Sequence, residues 1–242
     1  QTYGVSFVNS VTGNTDTATA SFSFISGTSL TVVVTNTSTF SAYGNNDLLS
    51  GLFFALSGNP TLSATSATTP TLVNPGSCTA SMVSVCSAGN VDIGFEYGFQ
   101  YSATGFSGST LTTTANYGIA AAGYSLVSPN FGTGNVSKFG ASPQNLDGGS
   151  GALGGLDFSI LGSGYNSAAS ANSLRNIPLS QNSVTFVFAL QPGVTTLSVS
   201  NVTFAYGTNP DSSAGASLVP EPGGLAVLGV AAAGMWAARR RR

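Results

Sequence analysis

The chain has 242 residues, and only 6% of them are charged. Histidine is absent from the sequence, which excludes Ser-His-Asp and Cys-His catalysis and any histidine-ligated metal centre. Before residue 219 the only cations are Lys138 and Arg175, against seven carboxylates. A nucleic-acid partner is not expected, because phosphate binding needs clustered Lys and Arg.

The chain begins at Gln1 with neither a basic nor an apolar leader segment, so we expect that a secretory signal peptide has already been removed. Two segments with alternating apolar and polar residues follow, Thr2–Val8 and residues 17–25, and each predicts a half-buried strand. A short turn at residues 26–28 leads into a third alternating segment at residues 30–35. The second and third segments are predicted to form a hairpin.

Residues 48–57 are apolar at successive positions, which predicts a strand covered on both faces. Residues 58–90 contain three prolines and both cysteines, and short edge strands and loop are predicted there. Residues 91–101 show the clearest alternation of the chain. They predict one strand with six large apolar side chains along one face.

Residues 102–182 contain only short hydrophobic runs and are predicted to be irregular connections, with one strand candidate at residues 156–160. Strict alternation returns at Ser183–Leu190 and is followed by a Pro-Gly turn at residues 192–193. In the next strand the apolar phase changes near residues 200–201, which predicts a β-bulge.

These patterns predict an all-β protein in which residues 1–210 form a single β-sandwich or jelly-roll-like domain. Residues 211–218 are mostly small and are predicted to be a tether between this domain and a C-terminal tail, residues 219–242. Only the tail has the long apolar stretch of a transmembrane helix. A C-terminal transmembrane sorting helix is therefore expected there.

The tail has no charge between residues 223 and 238, and a helix of this length spans about 24 Å, slightly short of a ~30 Å hydrocarbon core. Alanine and glycine dominate it, which suits a transient membrane intermediate. The terminal arginines are expected to stay in the cytoplasm and to leave the body outside. The expected membrane-anchoring side chains are those of Leu225, Val227, Leu228, Val230, Met235 and Trp236, and the cytoplasmic stop consists of Arg239, Arg240, Arg241 and Arg242.

The residues just before the apolar segment are Val219, Pro220, Glu221 and Pro222. The two prolines keep this stretch extended, which is the conformation that a protease binds. In the order and spacing of its Pro-Glu-Pro triplet, apolar segment and basic end, the tail resembles the PEP-CTERM sorting signal. The resemblance implies that the membrane peptidase exosortase removes the tail, and that the body is released or attached to the surface of a Gram-negative bacterium. The alternative is an ordinary C-terminal anchor, which needs only the apolar and basic parts.

Four strand-like segments of the body, at residues 30–38, 48–58, 182–186 and 202–208, together resemble the XDD4-type family of exosortase-dependent surface proteins. This resemblance spans most of the body. It implies placement at the cell surface and brings no enzymatic activity with it.

Cys78 and Cys86 are the only cysteines, and in an oxidising compartment we expect them to form a disulfide. Closing so short a loop would stabilise the fold by about 2.5 kcal/mol in the chain-entropy description. The alternative is a pair of free buried thiols. Zinc is disfavoured, because two thiolates fill only half of a tetrahedral site.

Three groups of polar residues have suitable types for catalysis or metal binding but unsuitable spacing. Asp92 and Glu96 would lie about 13 Å apart on one strand, beyond the ~9.5 Å of an inverting glycosidase, and are predicted to form its wet face. The Ser-Lys pair at residues 137–138 has no neighbouring catalytic signature, so a solvated lysine is predicted. The loop at residues 147–151 with Asp157 lacks the acidic spacing of known calcium loops. No cofactor and no metal are therefore expected.

Four tyrosines could form a platform that stacks on a sugar ring, although tyrosines in strands are usually core or rim residues. They are Tyr43, Tyr101, Tyr124 and Tyr165. The N-glycosylation pattern occurs three times, as chance produces in a chain so rich in these residues. Its asparagines are Asn36, Asn135 and Asn201.

The sequence therefore predicts an exported, non-enzymatic structural protein of the cell surface or extracellular matrix that is sorted by exosortase. Its expected partners are exosortase, the inner membrane during sorting, and either further copies of itself in a filament or exopolysaccharide. The alternative function is a carbohydrate-binding adhesin of the extracellular polysaccharide matrix.

Overall fold

The structure is a computed structural model of the chain. It describes residues 1–40, 42, 44–74, 91–108, 110–124, 126–131, 137–139, 156–166, 174, 177–208, 210 and 212–219. Within these ranges the chain is all-β, with nineteen strands and no α-helix, which confirms the predicted fold class. The helix expected after residue 222 lies outside the described residues.

Most of the strands are short, and seven of them have seven or more residues. In chain order they are β1 (Thr2–Val8), β2 (Thr15–Ile25), β3 (Ser29–Asn36), β4 (Leu49–Leu56), β5 (Leu62–Thr69), β6 (Leu72–Val73), β7 (Val91–Asp92), β8 (Gly98–Tyr101), β9 (Phe106–Gly108), β10 (Thr112–Thr113), β11 (Tyr117–Ala120), β12 (Val127–Ser128), β13 (Ser137–Lys138), β14 (Ile160–Leu161), β15 (Leu179–Gln181), β16 (Ser183–Leu190), β17 (Val199–Tyr206), β18 (Ser212–Gly215) and β19 (Ser217–Leu218). Two 3-10 turns, Asn45–Asp47 and Gly94–Glu96, precede β4 and β8.

Two main sheets pack face to face. The first has the strand order β19-β1-β2-β3-β16-β5-β7, and the second has the order β13-β8-β11-β4-β14-β15-β6, with β17 paired to β4 and β18 paired to β17. A small third sheet has the order β10-β9-β12. Side chains of both main sheets share one core, in which Phe22 meets Phe54 and Phe99 meets Phe188 edge to face, with ring centroids 5.3 and 4.8 Å apart.

The predicted hairpin is confirmed. Strands β2 and β3 pair along their length, and Phe22 lies opposite Val32 with both side chains buried. Gly27 in the connecting turn has φ +64°, a conformation that costs glycine little. Strands β1 and β16 also match the sequence prediction. A two-residue alternation over seven or eight residues specifies which face of a strand is buried.

Strand β4 is buried along its whole length, as predicted for a strand covered on both faces. Leu52 and Phe54 face the core between the main sheets. Phe53 points the other way and packs against Phe106 and Phe131, at centroid distances of 5.0 and 6.1 Å. The connections that carry these two rings therefore form a third layer with a second hydrophobic core, where the sequence predicted only irregular chain.

Residues 91–101 do not form the single strand that was predicted. Strand β7 ends at Asp92, whose Oδ1 accepts a hydrogen bond from the Gly94 amide at 2.9 Å, and a 3-10 turn follows. Strand β7 pairs with β5 in the first sheet and β8 pairs with β11 in the second, so the chain crosses between the sheets here. Only glycine fits at residue 94, because an added Cβ would lie 1.9 Å from the carbonyl oxygen of Phe139.

Two other segments also differ from their predictions. Strand β5 has eight residues and lies between β16 and β7 inside the first sheet, although only short edge strands were predicted in this region. The small side chains of β5 gave a weak apolar pattern, and its register is set by pairing with the strongly patterned β16. The strand candidate at residues 156–160 is reduced to β14, because the backbone turns at Phe158 with φ +62°.

The predicted β-bulge in β17 is confirmed. The register between β4 and β17 shifts between Ser200 and Thr203, and Asn201 has φ +50°. An extra residue in one strand moves the following side chains to the opposite face, which explains the change of apolar phase in the sequence.

Candidate functional site

The last described segment brings the chain to the point where the sorting motif begins. Strand β18 pairs with β17, and β19 pairs with the first half of β1. The Val219 amide then donates a hydrogen bond to the Thr2 carbonyl at 2.8 Å. Residues 212–218 thus lie on the edges of both main sheets and do not form the free tether that was predicted. Small side chains allow this, because backbone hydrogen bonds along a sheet edge can hold a segment that buries little apolar surface.

The side chains at this exit point outward. Leu218 and Val219 are exposed, and a Cβ added at Gly4 would lie 3.0 Å from the Val219 Cγ2, so Val219 lies closely over β1. The rest of the predicted motif, membrane anchor and arginine stop lies outside the described residues. Among the residues that are described, no helix is long and apolar enough to cross a membrane.

Several other predicted sites also fall outside the described residues: the cysteine pair, the acidic loop at residues 147–151, and the side chains of the Ser-Lys pair. Of the two carboxylates predicted on the wet face of one strand, Asp92 is exposed but Glu96 is only 2% exposed. The prediction for Glu96 is wrong, because the 3-10 turn at Gly94–Glu96 breaks the alternation and turns this side chain inward.

The tyrosines do not form one platform in the described part of the chain. Tyr124 is 1% exposed, and its hydroxyl lies 2.7 Å from the Ser50 Oγ in the second core. Tyr165 is half-buried, with its hydroxyl 3.4 Å from the Asn74 Nδ2. Tyr101 is 46% exposed, and Tyr43 is outside the described residues.

Tyr101 instead lines a groove at the end of the second sheet. The groove has a volume of about 230 Å³, and the rings of Tyr101 and Tyr117 lie 5.3 Å apart along it. The Tyr117 hydroxyl donates to the Pro60 carbonyl at 2.7 Å, which fixes the ring that forms the base of the groove. The remaining lining residues are Asn59, Pro60, Thr61, Leu62 and Phe99.

Two of the three N-glycosylation patterns fall on described asparagines. Asn36 is buried, and its Nδ2 donates to the Ile160 carbonyl at 2.9 Å, so this amide is not accessible for modification. Asn201 is exposed and donates to the Thr114 Oγ1 at 2.8 Å. Asn135 lies outside the described residues.

A cluster of polar residues that the sequence analysis missed lies at one end of the sandwich. The cluster consists of Asn9, Asn14, Asp16 and Asp47, and we call these four residues the carboxylate cluster. The Asn9 Nδ2 donates to the Asp16 Oδ2 at 2.7 Å and to the Asn46 carbonyl at 2.8 Å. The Asn14 Nδ2 lies 3.2 and 3.3 Å from the two carboxyl oxygens of Asp47. These contacts join the β1–β2 connection, the start of β2 and the 3-10 turn at Asn45–Asp47.

Both carboxyl groups of the cluster are buried. Asp16 is 0% and Asp47 is 2% exposed, and the Asp16 Oδ1 has no hydrogen-bond partner among the described residues. Burial raises the pKa of Asp16 to about 7. The hydrogen bond from Asn9 lowers this pKa, and the nearby Asp47 carboxyl group raises it further. The sequence carried a signal for this site, because Asp16 has the same alternation phase as the core residues Ala18 and Ala20.

The comparisons with known proteins concern the tail. A family model described as the PEP-CTERM protein-sorting motif matches residues 218–242. No curated protein and no solved structure matches the chain. The match confirms the predicted sorting tail and indicates an exosortase-processed protein that is exported through membrane sorting to the cell surface or extracellular space. The likeness of the body to the XDD4-type family stays a prediction.

Proposed function

We propose that the chain is a non-enzymatic structural protein of the cell surface or extracellular matrix, delivered there by exosortase-dependent sorting. The observation that carries this proposal is the direct passage from β19, the last strand of the body, into the sorting motif at residues 218–242. The composition supports the structural role, because a chain without histidine and with few charges offers little acid-base chemistry.

The C-terminus of the mature protein tests the sorting step. Intact-mass spectrometry of protein from the cell surface or medium is expected to show a chain that ends before Arg242, and deletion of exosortase is expected to leave the tail in place. Glu221→Gln in the motif is expected to slow processing. Asp92→Asn, an exposed carboxylate of the body, is the matched control and should be processed normally. A mature chain that still ends at Arg242 in wild-type cells would overturn the proposal.

Self-assembly through a sheet edge is the form of structural role that the fold supports. Strand β19 covers only the first half of β1, so in the described part of the chain residues 5–8 of β1 have no neighbouring strand on that side. Unpaired backbone groups on a nearly uncharged edge can pair with a second copy. Val8 and Val11, which are exposed at the end of this strand, add apolar surface to the same region.

Light scattering and electron microscopy of the mature protein test this assembly. Ser6 is exposed on β1, and Ser6→Lys is expected to reduce assembly, because charges on an edge strand oppose pairing. Ala189→Lys adds the same charge to an exposed position of β16 that is paired with both β3 and β5, and should leave assembly unchanged. A protein that stays monomeric at high concentration would exclude the filament.

Carbohydrate binding is the second candidate function, and the groove beside Tyr101 favours it. A half-exposed aromatic ring next to an apolar groove with Asn and Thr on its rim suits stacking of a sugar ring with a few directional hydrogen bonds. In pull-down assays with the extracellular polysaccharide of the producing bacterium, binding is expected to weaken in Tyr101→Ala and to persist in Tyr165→Ala. Equal binding by the two variants would argue against an adhesin that uses this groove.

A further inference from the structure

We propose that strand β19 controls the access of exosortase to the sorting motif, so that the tail is removed only after β19 separates from β1. The proposal rests on the sorting step of the proposed function and is independent of the structural role. It follows from where the last hydrogen bond of the first sheet lies relative to the motif.

The first argument is that the sheet and the motif share residues. Leu218 lies opposite Tyr3 in the pairing of β19 with β1, and the Val219 amide donates to the Thr2 carbonyl at 2.8 Å. The family match begins at residue 218. Extended peptides are bound through their main-chain hydrogen bonds, and one backbone segment cannot pair with β1 and with an enzyme at the same time. Pairing of β19 and binding by exosortase therefore compete.

The second argument is the length of chain between the sheet and the motif. Glu221 is two residues beyond Val219, so it lies at most about 7 Å from the last residue that the sheet holds. The apolar segment begins at Gly223, which full extension places about 14 Å from Val219. While β19 is paired, an edge of the folded body therefore occupies the space beside the motif that a membrane peptidase needs.

The third argument is a change in how firmly the chain is held between Ala216 and Ser217. Ala216 packs against the main core, and its amide donates to the Val202 carbonyl at 2.8 Å. Before it, all four residues of β18 pair with β17. Ser217 and Val219 are exposed, and Leu218 is 58% exposed. A two-residue edge strand that buries so little surface can separate from β1 while β18 stays paired.

Separation of β19 moves the motif clear of the body. Measured from Ala216, the last firmly held residue, Glu221 is five residues away and can reach about 17 Å. The core is not disturbed, because no residue of β19 contributes to it. The folded body thus slows its own processing, and the precursor stays at the membrane for a time that the opening of β19 determines.

A disulfide that holds β19 on β1 tests the proposal. Gly4 and Ser217 lie opposite each other, and the Cα separation of an antiparallel pair, about 4.5–5.5 Å, suits a disulfide. Both positions lie outside the matched residues 218–242. In pulse-chase labelling of the producing bacterium, Gly4→Cys with Ser217→Cys is expected to slow tail removal by about tenfold or more, because the crosslink prevents local opening. Either cysteine alone should have little effect.

A second crosslink, one strand earlier in the chain, is the matched control. Thr203 and Gly215 lie opposite each other in the pairing of β17 with β18. Because β18 stays paired in the proposed step, Thr203→Cys with Gly215→Cys should leave the rate of tail removal unchanged. Mass spectrometry of the alkylated precursors shows whether each disulfide has formed.

Ser217→Pro changes the rate in the opposite direction without a crosslink. Proline removes a backbone N–H from β19, and residue 217 is exposed, so the variant weakens the pairing and leaves the core in place. Tail removal should become faster, and a slower rate would contradict the proposal. Tail removal at the wild-type rate in the chain locked at residues 4 and 217, or equal slowing by both crosslinks, would overturn it. A wild-type chain that keeps its tail would instead contradict the sorting step itself.

Discussion

The Asn9 side chain bridges its own turn and the buried carboxyl group of Asp16. Its Nδ2 donates to the Asp16 Oδ2 at 2.7 Å, and its Oδ1 accepts from the amide of Val11 at 3.0 Å. A single amide therefore closes the β1–β2 connection and supports a carboxylate that lies at a core position of β2. The first prediction follows from this double role.

Asn9→Ala removes the hydrogen bonds to Asp16 and to the Asn46 carbonyl and leaves buried acceptors unpaired. We expect the free energy of unfolding to fall by about 2–3 kcal/mol, as measured by urea denaturation. Asn45→Ala, an exposed asparagine of the neighbouring turn, is the control and should change stability by less than about 0.5 kcal/mol. Equal effects of the two substitutions would show that Asn9 does not support the cluster.

The stability of the protein is expected to depend on pH through Asp16. Its pKa is raised to about 7 in the folded chain, from about 4 when unfolded. Because the folded state then holds the proton more tightly, the contribution of Asp16 to stability is fully present below about pH 4 and is lost as the pH rises to about 7. The groups close to Asp16 are Asn9, Asp47 and the Tyr206 phenol, whose own pKa burial raises well above its usual range.

Urea unfolding between pH 4 and pH 8 measures this dependence. Wild type is expected to lose stability across the interval, and Asp16→Asn, which carries no titrating proton, is expected to give a flatter profile. A wild-type stability that rises across the same interval would contradict the assignment, since it would mean that the folded state favours the ionised carboxylate.

The crossing between the two sheets at Gly94 is expected to tolerate no side chain. Gly94→Ala would place a Cβ 1.9 Å from the Phe139 carbonyl oxygen, so the backbone would have to move. We expect a loss of about 3 kcal/mol or more, seen as a lower Tm. Gly44→Ala is the matched control, because no atom of the described residues lies within 4 Å of its added Cβ and its backbone is extended.

The segment that joins the body to the tail is expected to open more readily than the rest of the first sheet. Strand β19 has two residues and lies at the sheet edge, whereas β3 is paired on both sides. In hydrogen exchange, the Val219 amide should therefore exchange much faster than the amide of Val33 in β3. Equal protection of the two amides would mean that the exit strand is an integral part of the core sheet.

The sequence predicted the strands whose burial is strongly one-sided or complete. Strands β2, β3 and β16 alternate over eight or more residues, and β4 is apolar throughout, so local pattern and tertiary burial agree. The bulge in β17 was predictable for the same reason, because a change of phase within a strand has few other causes.

The failures have different physical causes. Residues 91–101 alternate well, but the close approach of Gly94 to Phe139, 45 positions later in the chain, breaks the strand, and no local pattern reports such a contact. Strand β5 is held by its neighbours more than by its own side chains. The sorting tail was predictable because its signal is linear, whereas the carboxylate cluster depends on a turn that brings Asp47 to Asp16.

The strand order also determines when the domain can form during export. Strand β16 is inserted between β3 and β5, and β17 pairs with β4, so each main sheet joins residues from the first quarter of the chain to residues beyond 183. Neither sheet is complete until about the last fifth of the body has been translocated. During translocation from the N-terminus, the body can therefore complete its fold only as the sorting tail reaches the membrane.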